Sequence, residues 1–236
     1  MTVNIAVCHS RKGGVGKSFL AYELAHLLDA VLVDLEHDGG GVTAKWGYRP
    51  RSQLLDALEA GAAAPRPLRG FKKPDLIPGH PDLYDQQPDA DTIAGALTKW
   101  ASEWGKPWIV VDTHPGASPA AHGALAVANI VLAPTALRTA ELDATAELVN
   151  EAADYPLVIV PNFVPTTPPA AEIQRLRSII ANTPVQVAPP IPTALHVGTR
   201  KKRIAITAEA PPAKSLQKVA AALTDLSTFV KEYVNG

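Results

Sequence analysis

The stretch "SRKGGVGKSF", residues 10–19, puts three glycines and two lysines into one short loop. An apolar run, "VNIAVC", precedes it, and Leu20, Leu24, Leu27 and Leu28 follow at helical spacing. Gly16-Lys17-Ser18 thus closes a Walker A pattern in its strand–loop–helix setting. Glycines let backbone N–H groups converge on phosphate oxygens. The helix after the loop turns its positive end towards the same anion. The expected nucleotide contacts are Gly13, Gly14, Val15, Gly16, Lys17, Ser18 and Phe19, with Lys17 reaching the β- and γ-phosphates and Ser18 ligating Mg²⁺. Two residues depart from the general pattern. Arg11 stands where the first glycine falls, and Lys12 is a second lysine that an ordinary phosphate loop does not need.

Two acids close apolar runs: Asp112 in "PWIVVD" and Asp34 in "VLVD". Ligands gather at the carboxyl ends of strands in open α/β sheets, so both acids are expected beside the loop, where ligands bind. Either residue can instead cap a turn. Asn162, after "VIVP", offers a base edge both a donor and an acceptor, or else makes a turn. Arg200, Lys201, Lys202 and Arg203 form the densest charge run in the chain. Such a run suits a phosphate backbone, with Lys214 and Lys218 as additions, or it is simply a solvated loop.

These groups need a scaffold. Short β-branched runs alternate with amphipathic ones along the whole chain. That pattern predicts a single-domain α/β P-loop fold over 1–236, with a mostly parallel sheet covered by helices on both faces. Asp89 or Asp91 is the expected N-cap of a helix running to residue 104. The segment "HDGGGVTAKWG" reads as a loop. Leu216, Val219, Leu223, Leu226, Val230 and Tyr233 fall on one face of a C-terminal helix that packs on the sheet.

The 236 residues are 47% hydrophobic and 19% charged, with a net charge of −1, so nucleic-acid binding requires a local patch. One cysteine, Cys8, rules out an intrachain disulfide and fits a cytoplasmic protein. No apolar run reaches membrane-spanning length. The seven histidines show no metal-ligand spacing in the sequence.

"KGGVGKS" resembles the deviant Walker A loop of the ParA/MinD ATPases. "VLVDLEHDGGGVTAKWG", "DLIPGHPDL", "WIVVDTHPG" and "VIVPNF" resemble that family's later segments, in order along nearly the whole chain. The resemblance implies an ATP- and Mg²⁺-dependent ATPase that dimerises around two ATP molecules. Lys12 would be the signature lysine touching the partner's phosphates, and Asp112 the Walker B acid holding Mg²⁺ through water, with Asp34 at the similar strand end as a further metal candidate. Asn162 would contact adenine, and Thr113–Gly116 would act as a second switch. The family's water-positioning acid falls on Glu36, with Asp38 as the alternative, because His37 and Asp38 replace the usual Pro and Gln. The resemblance further implies non-specific DNA binding through residues 200–203, a ParB-like adaptor on the cargo that stimulates hydrolysis, and nucleoid association; no membrane targeting is expected, because the apolar face of the C-terminal helix is needed on the sheet. Two rival readings are an ATPase that positions a protein assembly and a metabolic P-loop ligase or synthetase.

Overall fold

The computed structural model describes residues 3–38, 41–49 and 52–236. Its β-branched and leucine-rich runs form seven strands: β1 (Asn4–Cys8), β2 (Val31–Leu35), β3 (Asp75–Ile77), β4 (Trp108–Thr113), β5 (Ile130–Thr135), β6 (Leu157–Pro161) and β7 (Gln186–Val187). They make one sheet in the order β3-β2-β4-β1-β5-β6-β7, and each strand pairing is parallel.

The described helices are α1 (Lys17–Leu27), α2 (Val42–Trp46), α3 (Gln53–Leu58), α4 (Leu83–Gln86), α5 (Ala90–Trp104), α6 (Pro119–Ala126), α7 (Thr139–Ala152), α8 (Ala170–Ile180), α9 (Leu195–Thr199) and α10 (Gln217–Asn235). Asp89 caps α5, accepting from the Thr92 N–H at 2.7 Å.

Side chains alternate across the strands, so the two sheet faces build two separate cores. Ala6, Leu32, Val110 and Leu132 face α1 and α10, where Leu20, Leu24, Leu223, Leu226 and Val230 are buried. Ile5, Val7, Val33, Val111 and Val131 face the other layer, with Leu54, Ile93, Leu97, Trp100 and Leu142. The central strands read as continuous apolar runs because both faces are covered. The expected apolar face of α10 is the buried one, and Tyr233 packs at its margin.

One expectation is corrected. The segment 37–47 is not simply loop, because α2 occupies its second half. A helix of five residues is too short to show a periodicity in the sequence. Residues 39–40 of this segment lie outside the described residues.

The chain leaves β1 towards β2 on one side and leaves β4 towards β5 on the other. Loops that diverge in this way open a crevice at the carboxyl ends of the central strands.

Candidate nucleotide-binding site

The glycine loop fills the crevice above β1. Gly14 (φ 80°) and Gly16 (φ 91°) lie in the left-handed region, which side chains disfavour. Gly16 is constrained twice. A Cβ there would sit 2.2 Å from Asn162 Nδ2 and 2.9 Å from Phe163 Cζ. A Cβ on Gly13 or Gly14 would meet nothing within 4 Å, and both glycines are exposed. The loop is therefore braced on the Asn162 side and open where an anion would approach, directly before the first turn of α1.

Asn162 is fully buried, at the end of β6. Its Nδ2 donates to the Val15 carbonyl at 2.8 Å, and its Oδ1 accepts from the Phe163 N–H at 3.0 Å. The amide expected at a base edge is thus engaged in holding the loop from beneath. The Phe19 side chain packs into the α10-side core with Lys45 Nζ 4.9 Å from its ring centre, so Phe19 offers the site only its backbone.

Lys17 points into the crevice and is buried with two acids. Its Nζ lies 3.1 Å from Asp112 Oδ1 and 3.6 Å from Glu36 Oε2. Burial alone would lower the Lys17 pKa, but Asp112 and Glu36 raise it above its ordinary value. The ammonium therefore stays charged. Burial raises the Glu36 pKa, with Lys17 opposing. Asp38, the other candidate acid, points outward, with 67% of its side chain exposed. Glu36 is the acid in reach of Lys17.

Asp34 and Asp112 are register partners on β2 and β4. Burial raises both carboxyl pKa values, and their mutual repulsion adds to this for Asp34. Their hydrogen bonds differ. Asp34 Oδ1 accepts from the Glu36 N–H at 3.0 Å. Its Oδ2 accepts from the Thr43 N–H at 2.9 Å and from Thr43 Oγ1 at 2.5 Å. Thr43 Oγ1 in turn accepts from the Gly79 N–H at 2.9 Å. Asp34 therefore anchors α2 and the segment after β3, and both its oxygens are occupied. This bonding is the turn-capping role that the Asp34 position also allowed. Asp112 Oδ2, by contrast, is buried and lacks a hydrogen-bond partner. A lone carboxylate oxygen near the Ser18 hydroxyl suits Mg²⁺, held directly or through water.

His9 links the loop to β4. Its Nδ1 donates to Thr113 Oγ1 at 2.9 Å, and that hydroxyl donates to the Cys8 carbonyl at 3.1 Å. Burial, with Lys17 nearby, pushes the His9 pKa down to about 4. The Gly116 N–H donates to the Ser10 carbonyl at 3.0 Å. The segment after β4 is thereby hydrogen-bonded to the phosphate loop.

No family model matches the chain. It is 30% identical over 149 residues to the chromosome-partitioning ATPase Soj of Thermus thermophilus, a match spanning 59% of this chain and 57% of that relative's length. The structure superposes on a variant of Cyanothece McdA in complex with ATP, with a TM-score of 0.78, 15% identity and 99% and 97% of the two chains covered. The septum site-determining protein MinD of Pyrococcus horikoshii, complexed with Mg-ADP, gives a TM-score of 0.75 at 18% identity, covering 98% and 97%. The chain has the ParA/MinD fold. In this ParA/MinD fold the crevice after β1 and β4 is the glycine-loop site, with Lys17, Glu36 and Asp112 gathered in it.

Two further groups lie on the outside of the ParA/MinD scaffold. Lys12 Nζ pairs with Glu141 Oε1 of α7 at 3.2 Å, and 41% of the Lys12 side chain is exposed. Arg11 pairs with Glu147 at 3.1 Å and also with Glu151 on the same helix. The run 200–203 lies over α1 and α2 and is only partly available. Arg200 is mostly buried, pairing with Glu209 at 3.1 Å, and Lys202 pairs with the same acid at 2.8 Å. Arg203 covers Gly47, where a Cβ would lie 2.5 Å from its Cδ. With Lys45, the four cations line a cavity of about 460 Å³.

The fold also joins residues that sequence spacing keeps apart. His37 and His114 stack with ring centres 3.9 Å apart, although they follow different strands. Their spacing in the sequence gives no sign of this contact. Thr43, Glu141 and Glu209 carry no motif, and their roles emerge only from tertiary contacts.

Proposed function

We propose that this chain is an ATP-dependent switch of the ParA type, which hydrolyses ATP slowly while positioning or partitioning cargo. The observation that carries this reading is Lys17, buried between Asp112 and Glu36 beneath a glycine loop that is open to an anion. Likeness to a chromosome-partitioning ATPase and to nucleotide-bound solved structures supports it.

On binding, the triphosphate takes Lys17 away from its acids and onto the β- and γ-phosphates. The loop N–H groups and the α1 N-terminus hold the remaining phosphate charge. Ser18 and Asp112 would hold Mg²⁺, which neutralises phosphate charge when bound. Glu36, freed from Lys17, accepts a hydrogen bond from the attacking water and orients it. Asn162 holds the loop at the base side of the site. Lys12 leaves Glu141 and reaches the phosphates of a second copy, which makes dimerisation depend on ATP.

The exposed cations Lys201 and Arg203 carry non-specific DNA binding in the ATP-bound dimer, with Lys202 and Arg200 partly neutralised by Glu209. A cargo-bound adaptor protein then stimulates hydrolysis and release. The test is binding to random-sequence duplex DNA with ATP, a slowly hydrolysed analogue, ADP or no nucleotide. Binding is expected only with triphosphate, and it should weaken with salt at a slope of about −0.9 per phosphate contacted. A Lys201→Ala/Arg203→Ala protein is expected to lose it.

The pairing of half the basic run with Glu209 favours one second reading, an ATPase positioning a protein assembly. Triphosphate-dependent dimers that ignore DNA would select that reading.

A further inference from the structure

A second cluster of donor atoms lies beside Glu36, where the segments after β2 and β4 meet. Leu35 and Thr113 are register partners at the two strand ends, so His37 and His114 emerge side by side. Their rings stack at 3.9 Å with an interplanar angle of 23°. Asp38 completes the group: its Oδ1 is 3.5 Å from His37 Nε2, and its Oδ2 is 3.7 Å from His114 Nδ1. One donor atom from each residue lies within 4.8 Å of the other two. His114 Nδ1 is buried and has no hydrogen-bond partner.

Two imidazoles and one carboxylate are a donor set for a first-row transition metal, not for Mg²⁺, which prefers oxygen throughout. Tetrahedral Zn²⁺ with bonds of about 2.0–2.2 Å spaces its donors about 3.3–3.5 Å apart. The two Asp38–histidine separations, one through each carboxylate oxygen, are already close to that. Rotation of His37 and of the mostly exposed Asp38 closes the rest. A cavity of about 310 Å³, lined by Leu83, Tyr84 and Pro115 as well as both histidines, leaves room for water in a fourth position.

We propose that His37, Asp38 and His114 form a binding site for Zn²⁺ or a similar first-row divalent ion. This site is separate from the Mg²⁺-nucleotide site and bridges the segments after β2 and β4. Glu36 Oε1 lies 3.5 Å from His114 Nδ1, so an ion here pins the residue beside the candidate water-positioning acid. Loading would restrain both segments together, and metal supply would thereby adjust the rate of the switch.

The test uses the full chain without a polyhistidine tag, in excess Mg²⁺ and without nucleotide. Zn²⁺ is titrated against a chromophoric chelator, and Co²⁺ serves as a visible-absorption probe. One ion per chain is expected, with the intense visible bands of four-coordinate Co²⁺. His37→Ala, His114→Ala and Asp38→Asn should each weaken Zn²⁺ by at least the ~10–100-fold that follows loss even of an outer-shell partner. His196→Ala, at an exposed histidine elsewhere, should bind as wild type does. Lys17→Ala should still bind Zn²⁺, which separates this claim from the nucleotide reading. Circular dichroism confirms that each variant is folded. Wild-type Zn²⁺ affinity no tighter than that of the His37→Ala/His114→Ala double variant overturns the proposal.

Discussion

Lys17 sets the local electrostatics of the crevice, because it is the cation between two buried acids. Removing one partner of a buried ion pair leaves an uncompensated charge and typically costs about 3–5 kcal/mol. Lys17→Ala is therefore expected to lower stability by that order in urea titrations without nucleotide, as well as to abolish ATP binding. His9 supplies a pH signature. Its folded pKa of about 4 lies below the ordinary 6.5, so between these values the unfolded chain binds more protons. The resulting stability is fully present above pH 6.5 and is lost as pH falls through 4, amounting to about 3 kcal/mol. His9→Gln, which keeps a donor for Thr113, should flatten this part of the stability–pH curve relative to wild type. Lys17, Ser18 and Asp112 were legible in the sequence because strand-end and loop motifs fix their places. The bonding of Asp34 was not, since Thr43, itself held by the Gly79 N–H, reaches it only through the fold.

Among the elements, α7 holds the early lysine in place. The Lys12–Glu141 pair is half exposed, and such pairs contribute about 0.2–1 kcal/mol. If Lys12 must leave Glu141 to reach a second copy, Glu141→Gln should tighten ATP-dependent dimerisation by a corresponding few-fold, as measured by sedimentation. Lys12→Ala should abolish it. Gly16→Ala should disable the loop without touching α10, because its φ and its contact with Asn162 both exclude a Cβ. Strong periodicities gave reliable helix readings, such as α5 with its Asp89 cap and α10 with its leucine face. Short elements such as α2 span barely more than one turn, and tertiary contacts rather than pattern create them.

At the scale of the whole molecule, one parallel sheet separates two cores and brings the glycine loop, Asp112 and Glu36 to the same edge. Alternating strands and helices made this architecture readable. The meeting of His37 with His114 was not, because it depends on β2 lying beside β4. Leu223 is fully buried between α10 and the sheet, so Leu223→Ala should cost about 2–5 kcal/mol in denaturant unfolding. This edge is expected to bind Mg²⁺-ATP, with Glu36 orienting the hydrolytic water. The most direct measurement is ATP binding together with single-turnover hydrolysis, in Mg²⁺, for the wild-type and Glu36→Gln proteins. Binding close to wild type with hydrolysis slowed by ~10²-fold or more is the expected result. Unchanged turnover in Glu36→Gln, or no ATP binding by the wild-type protein, would contradict it.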